Sequence, residues 1–161
     1  QRSAIEWGKS EGLVEANEVE REEFEYDESL TYTDISSARG AQRIGGSIFH
    51  ATLDTTNPLG YGYRRGDLQV FRNGTRFLQK PDNHFAAPVA LTDTPQASGY
   101  ISEENLEVIP NTVSTLVSSS GSGRIISFVD NPNFRAFWFG TNKLFANALF
   151  FGDTISIAAT E

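Results

Sequence analysis

Two histidines, His50 and His84, are the side chains of this 161-residue chain best suited to proton transfer or metal ligation, because it has no Cys and no Met. A hydrolytic zinc site needs closely spaced ligands, as in a His-x-x-Glu pair with a distant third. His50 is followed by Ala51, Thr52 and Leu53, and His84 by Phe85, Ala86 and Ala87, so neither opens such a pair. Ser47, His50 and Asp54 are near in sequence, but alternation along a strand turns Ser47 and His50 to opposite faces and predicts no relay between them. The stretch Gly45-Gly-Ser-Ile-Phe49 lacks the Gly-x-Ser-x-Gly spacing of a nucleophile elbow. Residues 118–123 (SSSGSG) lead through Arg124 into a strand pattern, so they read as a hairpin turn and not as a phosphate cradle. Glu103 and Glu104 are adjacent on a turn, with no reason to share a proton. Thiolate chemistry and disulfides are excluded outright. These residues assign no catalytic group and no metal ligand, and no cofactor is expected in this segment.

One stretch is unusually dense in groups that make contacts: Asp130-Asn-Pro-Asn-Phe-Arg-Ala-Phe-Trp138. It places Asp130, Arg135 and Trp138 where a strand pattern hands over to a helical one, a position at which ligands collect in α/β sheets. These three are the candidate ligand or partner contacts. Structural roles account for much of the stretch: Asn131-Pro132 suits a helix N-cap and first turn, Arg135 can pair with Asp130, and the aromatics suit a core.

The elements that must position these groups follow from pattern. Residues 3–12 predict a helix closed by Gly12 in a left-handed cap. Residues 13–43 show no sustained apolar period and predict a long acidic loop with one short strand near Phe24 to Tyr26. Strands follow at 47–53, at 68–72 and 75–79 as a hairpin about Asn73-Gly74, at 88–92, and at 112–117 and 124–129 about the Ser/Gly turn. Asn73-Gly-Thr75 also matches a glycosylation sequon, but the turn explains both of its first two residues. Ser102 predicts the cap of a short helix ending before Pro110. A helix capped by Asn131 runs in one or two pieces to Gly152, apolar nearly all round in its second half (KLFANALFF) and therefore expected to be buried on both sides. Residues 153–159 predict an edge strand.

Charge narrows the partners. The formal net charge of −8 sits wholly in residues 1–34, where eleven acids face Arg2, Lys9 and Arg21, while the remainder balances. No part offers the basic face that displaces counterions from phosphates, which argues against nucleic acid as a partner. The acidic run over residues 15–28 reads as a solvated surface. No apolar stretch approaches the roughly 20 residues of a bilayer span.

The segment 123–152 (GRIISFVDNPNFRAFWFGTNKLFANALFFG) resembles the C-terminal region of bacterial carboxypeptidase A-like zinc peptidases. Residues 4–13 (AIEWGKSEGL), 44–49 with 53–62, and 68–72 (LQVFR) fit the same family in the same order. The resemblance implies a single domain over residues 1–161, a piece of a longer chain, of α/β class. Its sheet would be a partial flavodoxin-like, class I glutamine amidotransferase-like one with antiparallel hairpins and a buried C-terminal helix. It further implies a non-catalytic accessory domain in a secreted or periplasmic metallopeptidase, whose zinc belongs to a peptidase domain not in this segment. Its implied roles are packing, dimerisation or substrate presentation, with the peptidase domain and a second copy as partners. The rival reading is a small-ligand or carbohydrate-binding module using the region from Asp130 to Trp138.

Overall fold

The computed structural model describes residues 4–20 and 29–157. Helix α1 (Ala4–Ser10) ends at Gly12, whose φ of 67° only glycine adopts without strain. The chain then runs to α2 (Tyr32–Ala41), β1 (Ser47–Leu53), β2 (Asp67–Arg72), β3 (Val89–Ser98), α3 (Glu103–Val108), β4 (Val113–Ser120), β5 (Gly123–Phe128) and α4 (Phe139–Phe151). The expected α/β character holds, but the sheet is not of the parallel, flavodoxin-like kind. Five strands in the order β2-β1-β3-β4-β5 pair antiparallel throughout and curl into a half-barrel.

β1 shows why. Its side chains alternate, with Ser47, Phe49, Ala51 and Leu53 buried and His50 and Thr52 exposed, so one face meets the core and the other meets water. Antiparallel sheets tolerate that arrangement, whereas parallel sheets need helices on both faces. Phe49, Val70, Val89 and Val117 from the sheet join Leu59, Ile109 and Leu144 in the main core. Each such side chain stabilises the fold by roughly 1.5–3 kcal/mol on burial. β4 is buried on both faces, because α1 and the segment after it bring Ile5 and Val14 onto Leu78, Val113 and Leu116.

Other expectations are corrected. The hairpin about Asn73-Gly74 does not form: β2 pairs with β1, and of residues 75–79 only Leu78 makes bridges, to Glu18 and Val113. Within the predicted acidic loop, α2 is a helix, opened by a capping box in which Thr31 and Asp34 bond each other's backbone. The strand expected near Phe24 to Tyr26 lies outside the described residues. Of the acidic run, Glu15, Glu18 and Glu20 are exposed as expected, and Glu18 pairs with Arg76 at the surface. Residues 153–157 form no strand; Arg124 Nε donates to Ile155 O at 2.8 Å and Asn83 Nδ2 to Ile157 O at 2.6 Å. Helix α4 is buried on one side only. Thr141, Leu144 and Asn147 face inward, and Asn147 Nδ2 donates to Leu59 O and Tyr61 O at 2.8 and 2.9 Å. These two carbonyls choose the inner face of a helix whose apolar residues lie all round it, and the aromatic side is left outside.

The two edge strands, β2 and β5, are joined by a buried ion pair. Arg72 Nε donates to Asp130 Oδ1 at 2.6 Å and Nη2 to Oδ2 at 3.0 Å, while Ser114 Oγ donates to Oδ2 at 2.6 Å. Both ionic side chains are nearly inaccessible. Removing one partner strands the other charge in the interior, at a cost of about 3–5 kcal/mol, whereas replacing both with apolar groups is often near neutral. Urea denaturation of Asp130→Asn and Arg72→Met is expected to show losses of that size, with Arg72→Met/Asp130→Leu recovering most of them. Single variants that lose less than about 1 kcal/mol contradict this role for the pair.

Candidate functional site

The three residues singled out between Asp130 and Trp138 separate in the structure. Asp130 is buried and held by Arg72 and Ser114, not by Arg135. Arg135 is exposed, its guanidinium 5.4 Å from the Phe134 ring centre. Trp138 lines a concave surface. The physical reason lies in the backbone between them. Asn131 does not cap a helix; its side chain accepts from Asn133 N at 2.9 Å in a tight turn, and α4 begins eight residues later at Phe139. A 3-10 turn, Phe134–Ala136, intervenes, with Arg135 and Ala136 at φ of 49° and 54°. Such left-handed conformations cost a residue with a Cβ on the order of 1–3 kcal/mol unless its surroundings hold them.

Here aromatic packing supplies the hold. Phe134 stacks on Phe71 of β2 with ring centres 4.2 Å apart, and Trp138 lies 6.1 Å from the same ring. Trp138 Nε1 donates to Gln69 O at 3.2 Å. The segment after β5 thus forms an aromatic hook over β2, satisfying one of the carbonyls that an edge strand leaves open.

Between the hook and the outer face of β1, β2 and β3 lies a cleft of about 930 Å³. Pairing register supplies its floor: Gln69 stands opposite His50, and Asp67 opposite Thr52. The third side is irregular. From Leu91 to Gln96, β3 spends three more residues than β1 spends from Ala51 to Phe49, and this bulge carries Asp93 and Thr94 outward to the cleft. Bulges of this kind re-aim side chains at strand edges and functional sites.

Tyr63 closes one end. Its hydroxyl donates to Gly140 O at 2.9 Å, and Lys143, which donates to Gly62 O at 3.0 Å, lies 5.1 Å over its ring. Half-burial pushes the Tyr63 hydroxyl up to about 12. Asp54, at the foot of the connector to Tyr63, is held below the usual carboxylate range, chiefly by the Thr56 hydroxyl at 2.6 Å. Gly60 lets that connector fold onto itself, since a Cβ there would sit 2.6 Å from Asp54 O.

His50 is exposed on the cleft floor, and His84 begins a 3-10 turn, His84–Ala86, outside the residues that line it. Among the described residues, no group of three or more His, Asp and Glu is placed to hold a metal ion. Ser47 faces the opposite side of β1 from His50, donating to Tyr100 O at 2.5 Å, as alternation predicts. The cleft gathers residues from four separate segments; of its lining the sequence singled out Trp138 as a candidate contact and weighed His50 without giving it a role, and the polar positions of β1 and β2 are the signal for the floor.

No protein-family model matches the chain, and no curated protein or solved structure matches it.

A raised folded-state value for Tyr63 favours its neutral form, so its contribution to stability is complete below the unfolded value of about 10 and is lost as pH rises from there toward about 12. Denaturation midpoints recorded across that interval are expected to fall less steeply for Tyr63→Phe than for the unsubstituted protein. Parallel slopes contradict the burial of this hydroxyl.

Proposed function

We propose that the chain is a non-catalytic accessory domain of a zinc carboxypeptidase-like metallopeptidase, packed against the peptidase domain of the same polypeptide through the outer side of α4. The single observation carrying this reading is that helix's exposed apolar face. Phe139, Leu149 and Phe150 are 73, 69 and 78% exposed, and Phe145 is 40% exposed. Alongside them, Ile126 and Phe128 of β5 meet Phe145, Ala148 and Leu149 across a shallow groove of about 530 Å³. Contiguous apolar surface of this kind marks interaction sites, where burial of each large side chain offsets the cost of association.

The resemblance of residues 123–152 names the partner, since those residues contain β5, the hook and the whole of α4. The antiparallel sheet removes the amidotransferase-like fold from the reading but leaves the accessory role. Zinc belongs to the peptidase domain, and no residue here is given a part in the chemistry. Deprived of that domain, the same face self-associates. Among the described residues, no helix is long and apolar enough to cross a membrane.

Sedimentation velocity on the isolated chain is expected to show concentration-dependent dimers that Leu149→Glu/Phe150→Glu abolishes. In the full-length gene product, the same double substitution is expected to speed protease cleavage between the two domains by about tenfold, the equivalent of roughly 1.4 kcal/mol of lost contact. A chain that stays monomeric with and without the substitutions, or a gene product with no His-x-x-Glu motif, contradicts the proposal.

A further inference from the structure

We propose that the cleft between the hook and the sheet binds a neutral saccharide. This inference does not rest on the docking role of α4, because the cleft floor lies on the outer face of β1, β2 and β3.

The chemistry of the lining selects the ligand class. Asp67 and Asp93 line the cleft and no Lys or Arg does; Lys143, beside Tyr63 at one end, donates to Gly62 O, so a phosphate or carboxylate ligand would meet a net negative lining. A point cation is disfavoured for a different reason. Asp67 sits on β2 and Asp93 on the β3 bulge, with β1 between them, so the two carboxylates flank the floor instead of converging on one atom. What remains is an aromatic wall, Trp138, facing a polar floor of Gln69, His50 and Thr52 with a carboxylate at either side. A sugar ring is amphipathic in the same sense: its C–H face packs on an aromatic ring, and its hydroxyls donate to carboxylates and exchange hydrogen bonds with amides. Pockets that combine apolar walls with a few placed polar groups are the usual form of small-molecule sites.

Two departures from regular structure are needed to make this arrangement, and both deliver side chains to the same space. The three extra residues of β3 present Asp93, and the left-handed pair Arg135-Ala136 turns the chain so that Phe137 and Trp138 stand over β2. Backbone held in sparsely populated conformations clusters at ligand sites, where the surroundings over-determine it.

Isothermal titration calorimetry of the chain against cellotetraose, chitotetraose and mannotetraose tests the proposal, with tetramethylammonium chloride and inorganic phosphate run beside them. Saturable binding of at least one oligosaccharide is expected, weakened about tenfold by Trp138→Ala and by Asp93→Ala. Trp138 also packs on Phe71, so Asp93→Ala, on an exposed bulge, is the variant expected to keep the melting temperature unchanged. Failure to bind all three oligosaccharides, binding that neither substitution weakens, or tighter binding of tetramethylammonium or phosphate overturns it.

Discussion

Arg72 and Asp130 meet where a curled sheet has to be closed without strand pairing. β2 and β5 are its two edges and never share a ladder, yet the last residue of one and a residue just beyond the other form a two-pronged ion pair with Ser114 completing the carboxylate's shell. Such a pair is weak evidence for net stability, because each ion loses its water. Arg72 Nη1 shows the cost: it is buried with no hydrogen-bond partner among the described residues, while the guanidinium lies 5.8 Å from the Phe77 ring centre. What the pair supplies is specificity, since an alternative curl or a one-residue slip of β2 would turn Arg72 to the outer face and leave Asp130 unpaired.

Much else hangs from that closure. Asp130 ends the sheet and begins the hook, so fixing it sets the starting point from which residues 131–138 cross to β2. Trp138 and Phe134 then cover the free side of β2, and Thr141 Oγ1, donating to Pro132 O at 2.8 Å, ties the start of α4 back to the hook. Helix α4 finishes the arrangement by placing Asn147 on the carbonyls of the β1–β2 connector. Thr141 and Asn147 face in beside Leu144 and satisfy buried backbone, while Phe139, Leu149 and Phe150 face out. That arrangement leaves an apolar helix face on one side of the molecule and an aromatic-walled cleft on another.

Elements governed by neighbours in sequence were legible. The strand at 47–53 follows from its wealth of β-forming residues, the helix after Ser102 from its cap, and the β4–β5 hairpin from the Gly121 turn at φ 58°. Elements governed by distant partners were not. Leu68 to Arg72 reads as half of a local hairpin, yet its partner is β1 across a thirteen-residue connector. Helix α2 buries no residue and carries no apolar stripe, so only the Thr31 and Asp34 cap could have revealed it. Arg135 is nearer to Asp130 in sequence than Arg72 is, but the left-handed turn points it away into solvent. The cleft was illegible for the same reason: register, a bulge and a hook assemble it, and none is a property of a short window of residues.

The cleft and the apolar helix face both depend on the hook leaving the sheet at a fixed angle, which the buried pair sets. Hydrogen exchange of the Trp138 indole N–H, followed by NMR in the unsubstituted protein and in Asp130→Asn under native conditions, tests that dependence most directly. Loss of the pair is predicted to speed exchange at the indole together with the amides of β2 and β5, because all three open as one unit. An indole whose exchange is unchanged while only the residues beside position 130 lose protection would contradict it.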